Sequence, residues 1–269
     1  MTNLMDKRVM VTGAARGIGL GIARRFLDAG AWVTACDIDT DALEGALGRR
    51  DRCTIQALDV RDEAAWTALQ ESWQGGLDFM VNNAGVLRPG FLLDAEAASV
   101  HLQIDVNLKG VVFGTQTAAR IMRDRGSRGH IINISSLAGL APVGGLSVYA
   151  ASKFGVRGFS LSMAQELADY GIHLSVIAPD AVDTHMLEEQ KDSAAAALTF
   201  SGGRILTVDD IVRAVFDEAI DKRRTEVWLP LGRGVTAYLA ATFPRLASRL
   251  LGSLRNRGLR QQERYRKRR

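Results

Sequence analysis

Apolar residues recur along the chain in short runs that alternate with helical spacing. Arg8-Val-Met-Val-Thr12 is a compact apolar run, and Ile18, Ile22, Phe26 and Leu27 then fall on one helical face. Ala31-Trp-Val-Thr-Ala-Cys36 returns to strand character, so strand, helix and strand fit within about 30 residues, the size of a βαβ unit. The alternation repeats. Thr54–Leu58 and Asp78–Val81 read as strands, a long helical stretch covers about Ala95 to Met122, and His130–Ser135 is a buried strand. A helix follows Tyr149, Ile172–Ala178 is the sixth strand, and Thr225–Leu229 the last. Seven strands separated by helical patterns predict an α/β domain with a parallel sheet covered on both faces. Ligands on such sheets sit beyond the carboxyl ends of the strands. Asp37, Asp59, Asn83, Ser135, Ser136 and Pro179 fall at those ends, so they converge on one crevice.

Composition sharpens this picture. A chain of 269 residues, 47% hydrophobic, can bury one large core, and no Pro/Ser-rich linker, repeat or low-complexity tract divides it. Met1–Lys7 lacks the apolar stretch of a secretory leader, and no run of about 18 apolar residues indicates a membrane span. Cys36 and Cys53 make no disulfide framework and fit a reducing, cytoplasmic setting. The net charge of +4 is unevenly spread: residues 245–269 hold ten Lys/Arg against one acid, Glu263, which leaves a mildly acidic body.

Between the first strand and helix lies Gly13-Ala-Ala-Arg-Gly17-Ile-Gly19. Gly13 allows a tight turn, Gly17 lets backbone approach a pyrophosphate, and Gly19 allows close packing of helix on strand. The helix start offers free N–H groups and a positive dipole end to phosphates. Glycine turns alone are common, but this one is followed by Asp37 at the end of the next strand, 18 residues after Gly19, and that context predicts a dinucleotide site. A carboxylate at Asp37 accepts hydrogen bonds from the ribose 2′-OH and repels a 2′-phosphate, which favours NAD over NADP. Arg16 is the opposing feature. It could bind a 2′-phosphate, pair with Asp37, or lie solvated.

Tyr149-Ala-Ala-Ser-Lys153 places a tyrosine and a lysine one helical turn apart. Tyrosine titrates near pH 10, too high for efficient proton exchange at neutral pH. A nearby ammonium, with a cationic nicotinamide ring, stabilises the phenolate. Such a pair is ordinarily a solvated helix face, but this one lies 13 residues beyond Ser136. Ser135 is the rival serine, expected to point to the opposite side. His101, His130 and His173 read as ordinary helix or strand residues, and nothing resembles a metal cluster.

Together, Thr12-Gly-Ala-Ala-Arg-Gly-Ile-Gly19, Asn82-Asn-Ala-Gly85, Asn107, Ser136 and Tyr149-x-x-x-Lys153 resemble the short-chain dehydrogenase/reductase family over about residues 7–230. The resemblance implies a Rossmann-type, doubly wound, seven-stranded parallel sheet, with cofactor and catalytic sites on a single domain covering residues 1–230. It implies Tyr149 as acid/base, Lys153 tuning it and holding the nicotinamide ribose, Ser136 on the substrate oxygen, and Asn107 holding a relay water. The implied cofactor-binding set is Gly13, Arg16, Gly17, Ile18, Gly19, Asp37, Asp59, Val60, Asn83, Ala84, Gly85, Tyr149, Lys153, Pro179, Val182 and Thr184. One departure stands out: Pro179-Asp180 replaces the family's usual Pro-Gly, placing bulk and charge beside the cofactor. A cofactor-binding regulatory or scaffolding protein with impaired turnover is therefore the alternative to an active enzyme on an alcohol or carbonyl substrate.

In the family the segment from Thr184 to Arg204 covers the substrate. Ala194–Leu198 and Phe200 are expected to line it, while Glu188, Glu189 and Asp192 disfavour a charged substrate acid. Residues 231–269 form a basic amphipathic extension in which Leu246, Leu250 and Leu254 recur at helical spacing among Arg245, Arg249 and Arg255. That pattern fits peripheral contact with an anionic inner membrane surface or packing on protein. A nucleic-acid arm is disfavoured because Tyr265 is the only aromatic of the basic run. Val111, Val112, Phe113, Phe154, Phe159 and Met163 exceed what one buried helix face needs, which with the family resemblance predicts a homodimer or homotetramer.

Overall fold

A computed structural model describes residues 2–48 and 50–268; the side chains of 246, 247, 249–251 and 268 lie outside the description, and with them Leu246 and Leu250 of the expected leucine seam. The strands are β1 (Arg8–Thr12), β2 (Trp32–Asp37), β3 (Cys53–Ala57), β4 (Phe79–Asn82), β5 (His130–Ile134), β6 (His173–Pro179) and β7 (Glu226–Leu229). They form one parallel sheet in the order β3-β2-β1-β4-β5-β6-β7. The order reverses direction between β1 and β4, and that switch point opens the crevice anticipated from the strand ends.

Helices cover both faces. They are α1 (Gly17–Asp28), α2 (Thr40–Leu47), α3 (Glu63–Ser72), α4 (Ala97–Ile104), α5 (Gly110–Asp124), α6 (Ser147–Glu166), α7 (His185–Glu188), α8 (Val208–Ala214), α9 (Leu231–Thr242) and α10 (Pro244–Arg268). Phe26, Ile22 and Val11 lead the core on one face; Trp66, Met80, Met122 and Ile131 lead the core on the other. The central strands are apolar because both their faces are covered. The polar exceptions pair with one another. Asn82 Nδ2 donates to Asn133 Oδ1 at 2.8 Å, and Asn133 Nδ2 donates to Ser160 Oγ at 2.9 Å, which ties β4, β5 and α6 together directly beneath the strand ends.

Two sequence expectations need refinement. The helix expected over about 95–122 is interrupted by a π turn, Asp105–Lys109, between α4 and α5, and Asn107 lies inside it. Such turns are a frequent device at functional sites. The apolar surplus of α5 and α6 is largely spent within the chain. Val111 is buried, Phe159 packs beside it with Val156, and Phe113 and Met163 pack against the core around Met80. Of the six residues named for self-association, only Phe154 is exposed.

His130 Nε2 lies 2.8 Å from Ser175 Oγ, and burial pushes its imidazole down to about 3, so it stays neutral. Among the described residues no cluster of His, Cys, Asp or Glu could hold a metal, and no helix is long and apolar enough to cross a membrane.

Candidate active site

At the end of β1 the chain turns at Gly13, whose φ of +65° is a backbone state that glycine adopts freely. A Cβ added at Gly19 would overlap the Gly13 carbonyl oxygen, so α1 lies directly on the turn. Asn83, at the end of β4, donates from Nδ2 to the carbonyls of Thr12 and Gly13, both at 3.0 Å. Its backbone N–H and that of Ala84 donate to Thr12 Oγ1. Two strand ends are thus stitched together and the turn is held open toward solvent. Arg16 precedes α1 in extended conformation without a side-chain cap, which leaves the first N–H groups of the helix available to an anion. That opening fits a pyrophosphate.

Asp37 accepts from the backbone N–H of Ala15 at 2.9 Å and of Asp39 at 3.1 Å, so its carboxylate is fixed beside the turn. Arg16 pairs with Asp39 at 2.6 Å, a partner the sequence reading did not consider. At the end of β3, the Arg61 guanidinium grips Asp59 and holds its carboxyl below the usual range.

The catalytic candidates meet at the ends of β5 and β6. Tyr149 stands in the first turn of α6, and burial pushes its phenol up to about 12, while a hydrogen bond with Ser136 pulls the other way. Lys153 Nζ sits 5.7 Å from the tyrosine ring and donates to the Ile134 carbonyl at 3.0 Å. Burial lowers its ammonium to about 8. With one acceptor from the protein, this buried ammonium retains donors for a ribose hydroxyl. Desolvation dominates the phenol, and the opposing pull comes from Ser136 rather than from the expected Lys153. Ser136 accepts from the Ala138 N–H at 3.1 Å, whereas Ser135 turns away and donates to the Lys153 carbonyl at 3.0 Å. Asn107 is fully buried; it accepts from Val86 N–H and donates to the Val86 carbonyl and to Ser152 Oγ.

One cleft of about 760 Å³ runs past Asp37 and Asp59, the glycine turn, Asn83 to Gly85, Ser136, Tyr149 and Lys153, and on to Pro179, Val182 and Thr184. Arg16, Ile18 and Val60 also line it. Gly19 and Asn107 stand behind its wall, supporting backbone. Leu87, Val143, Leu146 and Met186 give the inner end an apolar surface.

The covering segment differs from expectation. Leu198 lines the cleft, but Ala195–Ala197 and Phe200 are buried, and Phe200 meets Tyr265 of α10 in a tilted ring contact with centroids 5.5 Å apart. Asp180 does not face solvent. Its carboxylate, one-tenth exposed, pairs with Arg233 of α9, although burial still raises its pKa. Thr236, Ala237, Ala240, Pro244 and Leu254 of α9 and α10 line the same cleft, as does Arg88. Sequence reasoning missed these. The only available signal was the helical spacing of Arg233, Ala237 and Ala240, which does not say what they face.

The short chain dehydrogenase family model matches residues 7–195. A 3-alpha-(or 20-beta)-hydroxysteroid dehydrogenase of Mycobacterium tuberculosis (strain ATCC 25618 / H37Rv) is 39% identical over 189 residues, covering 69% of this chain and 72% of that protein. An oxidoreductase, UcpA, of Salmonella typhimurium is 39% identical over 195 residues, 70% of this chain and 74% of that protein. Among solved structures, a short-chain dehydrogenase/reductase from Burkholderia phymatum in complex with NAD has a TM-score of 0.80 at 25% identity, covering 92% of this chain and 97% of that one. The closed form of a serine dehydrogenase complexed with NADP+ has a TM-score of 0.74 at 31% identity, covering 82% and 93%. The sheet order, the glycine turn and these matches agree: the chain belongs to the short-chain dehydrogenase/reductase family and is an oxidoreductase.

Proposed function

We propose that this enzyme interconverts a neutral, lipophilic alcohol and its ketone or aldehyde, with NAD preferred over NADP. The observation that carries the reading is the convergence of Tyr149, Ser136 and Lys153 on one wall of a cleft that begins at a glycine turn and ends among apolar side chains. A nicotinamide held in this cleft would supply or take up the hydride. In carbonyl reduction the Tyr149 phenol, kept protonated by burial, donates its proton to the developing alkoxide. Ser136 donates a hydrogen bond to the same oxygen, orienting it and stabilising its charge. Lys153 binds the ribose hydroxyls and stabilises the phenolate left behind. Asn107 fixes Val86 and Ser152 below the reacting groups. Oxidation runs the proton in reverse.

Asp37 supports the choice of NAD, since a carboxylate held by two backbone N–H groups meets a 2′-phosphate with repulsion. The Arg16 guanidinium is engaged by Asp39 in an exposed pair, which supports the same choice. The name of the hydroxysteroid dehydrogenase relative, together with the apolar inner end, favours polycyclic or similarly bulky neutral substrates. Self-association as a dimer or tetramer and peripheral contact with an anionic membrane belong to the same reading. The membrane contact would use the outward arginines of α10 beside the exposed Leu231, Val235, Tyr238 and Leu239 of α9.

A panel of secondary alcohols and ketones, followed through nicotinamide absorbance with both cofactors, tests the proposal. Turnover of bulky neutral compounds with NAD is expected; turnover confined to charged substrates or to NADP would replace it.

A further inference from the structure

Residues 231–268 make three sets of contacts that share one target. Arg233 of α9 pairs with Asp180 at the end of β6 and donates to Ser201 Oγ at 2.9 Å, so one guanidinium joins the catalytic edge of the sheet to the end of the covering segment. Further along, α10 lies across that segment. Gly258 touches it so closely that a Cβ would overlap the Ala197 carbonyl oxygen. Gln262, 3% exposed, donates from Nε2 to the carbonyls of Gln190 and Ser193, each at 2.9 Å. Tyr265 packs its ring at a tilt against Phe200, and Arg266 donates to the Lys191 carbonyl at 2.6 Å and pairs with Asp192 at 3.1 Å. Residues 190–193 lead into a 3-10 helix, Ala194–Ser201, and α10 donates to the carbonyls of Gln190, Lys191 and Ser193 at its entrance. Finally, the inner faces of α9 and α10 present small or apolar groups, Ala237, Ala240 and Leu254, to the cleft that holds Tyr149.

We propose that α9 and α10 are the specificity-determining wall of the substrate pocket. In this arrangement α10 clamps the covering segment, Arg233 positions that segment against the catalytic strand, and the small side chains of Ala237 and Ala240 admit a bulky apolar substrate. The substrate part rests on the alcohol/carbonyl reading of the cleft; the clamp does not. The arrangement also accounts for Asp180. An acid where the family has glycine is tolerated because its charge is neutralised by a residue of the same chain's α9.

Hydrogen–deuterium exchange of the full chain, read by peptide, tests the clamp. Gly258→Val should accelerate exchange across 190–201 about tenfold or more, with β4 and β5 unchanged. If Gly258→Val loosens the whole fold, Gln262→Leu removes the two donated bonds at similar volume, and the same local acceleration of about tenfold is expected. Arg233→Gln should loosen the segment at its Ser201 end. Unchanged exchange across 190–201 in Gln262→Leu overturns the clamp. For the wall, Ala240→Leu should lower the ratio of kcat/KM for a fused two-ring ketone over a one-ring ketone by about tenfold or more. An unchanged ratio overturns the wall. Failure of the wild-type enzyme to reduce either ketone would reject the alcohol/carbonyl reading, and with it the wall, leaving the exchange result to decide the clamp.

Discussion

At the glycine-turn end of the cleft the anchoring contacts come from a local motif and from the neighbouring strand end: Asp37 is held by Ala15 and Asp39, and the turn is held by Asn83. At the substrate end, the groups that shape the cleft come from β5, β6, α6, the covering segment and the last two helices. The first end can be read from a short stretch of sequence because its chemistry is local. The second depends on contacts between distant residues, so its composition can be guessed only in part. This also locates variability: the cofactor end has little freedom to change, while the substrate end can be remodelled through Arg233, Ala237 or Gln262 without touching the motif.

The sharpest way to break this comparison is at Gly19. Gly19→Ala puts a methyl group into the Gly13 carbonyl, so the turn or α1 must move. Cofactor binding, measured by fluorescence titration, should be lost by two orders of magnitude or more, about 3 kcal/mol. A change below about threefold would mean that the cofactor end is as adaptable as the substrate end.

A smaller effect is expected at Asp37. Asp37→Ala removes a hydrogen-bond acceptor for the 2′-OH and the charge facing a 2′-phosphate. The ratio of kcat/KM for NAD over NADP should fall by about tenfold, the worth of one charge-assisted hydrogen bond. An enzyme that already prefers NADP would instead assign the specificity to Arg16.

The smallest expected effect concerns the pH dependence of proton transfer. Burial holds the Tyr149 phenol up near 12, so oxidation, which requires the phenolate, should gain kcat/KM as pH rises through the neutral range. Reduction requires the protonated phenol and should not rise. Ser136 lowers the phenol pKa by hydrogen bonding, so Ser136→Ala should shift the alkaline limb of the oxidation profile upward by a fraction of a pH unit to about one unit. A downward shift would remove Ser136 from contact with the phenol.

All seven strands were legible because buried parallel strands are short apolar runs between helical patterns, and their observed ends agree with the expected ones to within a residue or two. The π turn at Asn107 was not legible, since residues 95–122 carry one continuous helical pattern. Phe200 and the alanines of 194–198 were correctly read as apolar, yet most face away from the cleft, because α10 supplies a second surface for them to cover. Asp180 looked like a defect only until Arg233, 53 residues later, stood beside it. The basic tail likewise read as an amphipathic helix that fits either an anionic membrane surface or packing on protein. Its periodicity reports that one face is covered, not what covers it, and Gly258, Gln262 and Tyr265 pack on the chain itself.

The central claim is that Tyr149 is the proton donor of a nicotinamide-dependent alcohol/carbonyl reaction. Its most direct test is single-turnover reduction of a bulky ketone by Tyr149→Phe, with NADH affinity measured on the same preparation. NADH should bind within about twofold of wild type while the rate falls about 10²–10⁴-fold, the range for loss of a general acid. A rate within threefold of wild type, with NADH bound, would contradict the account.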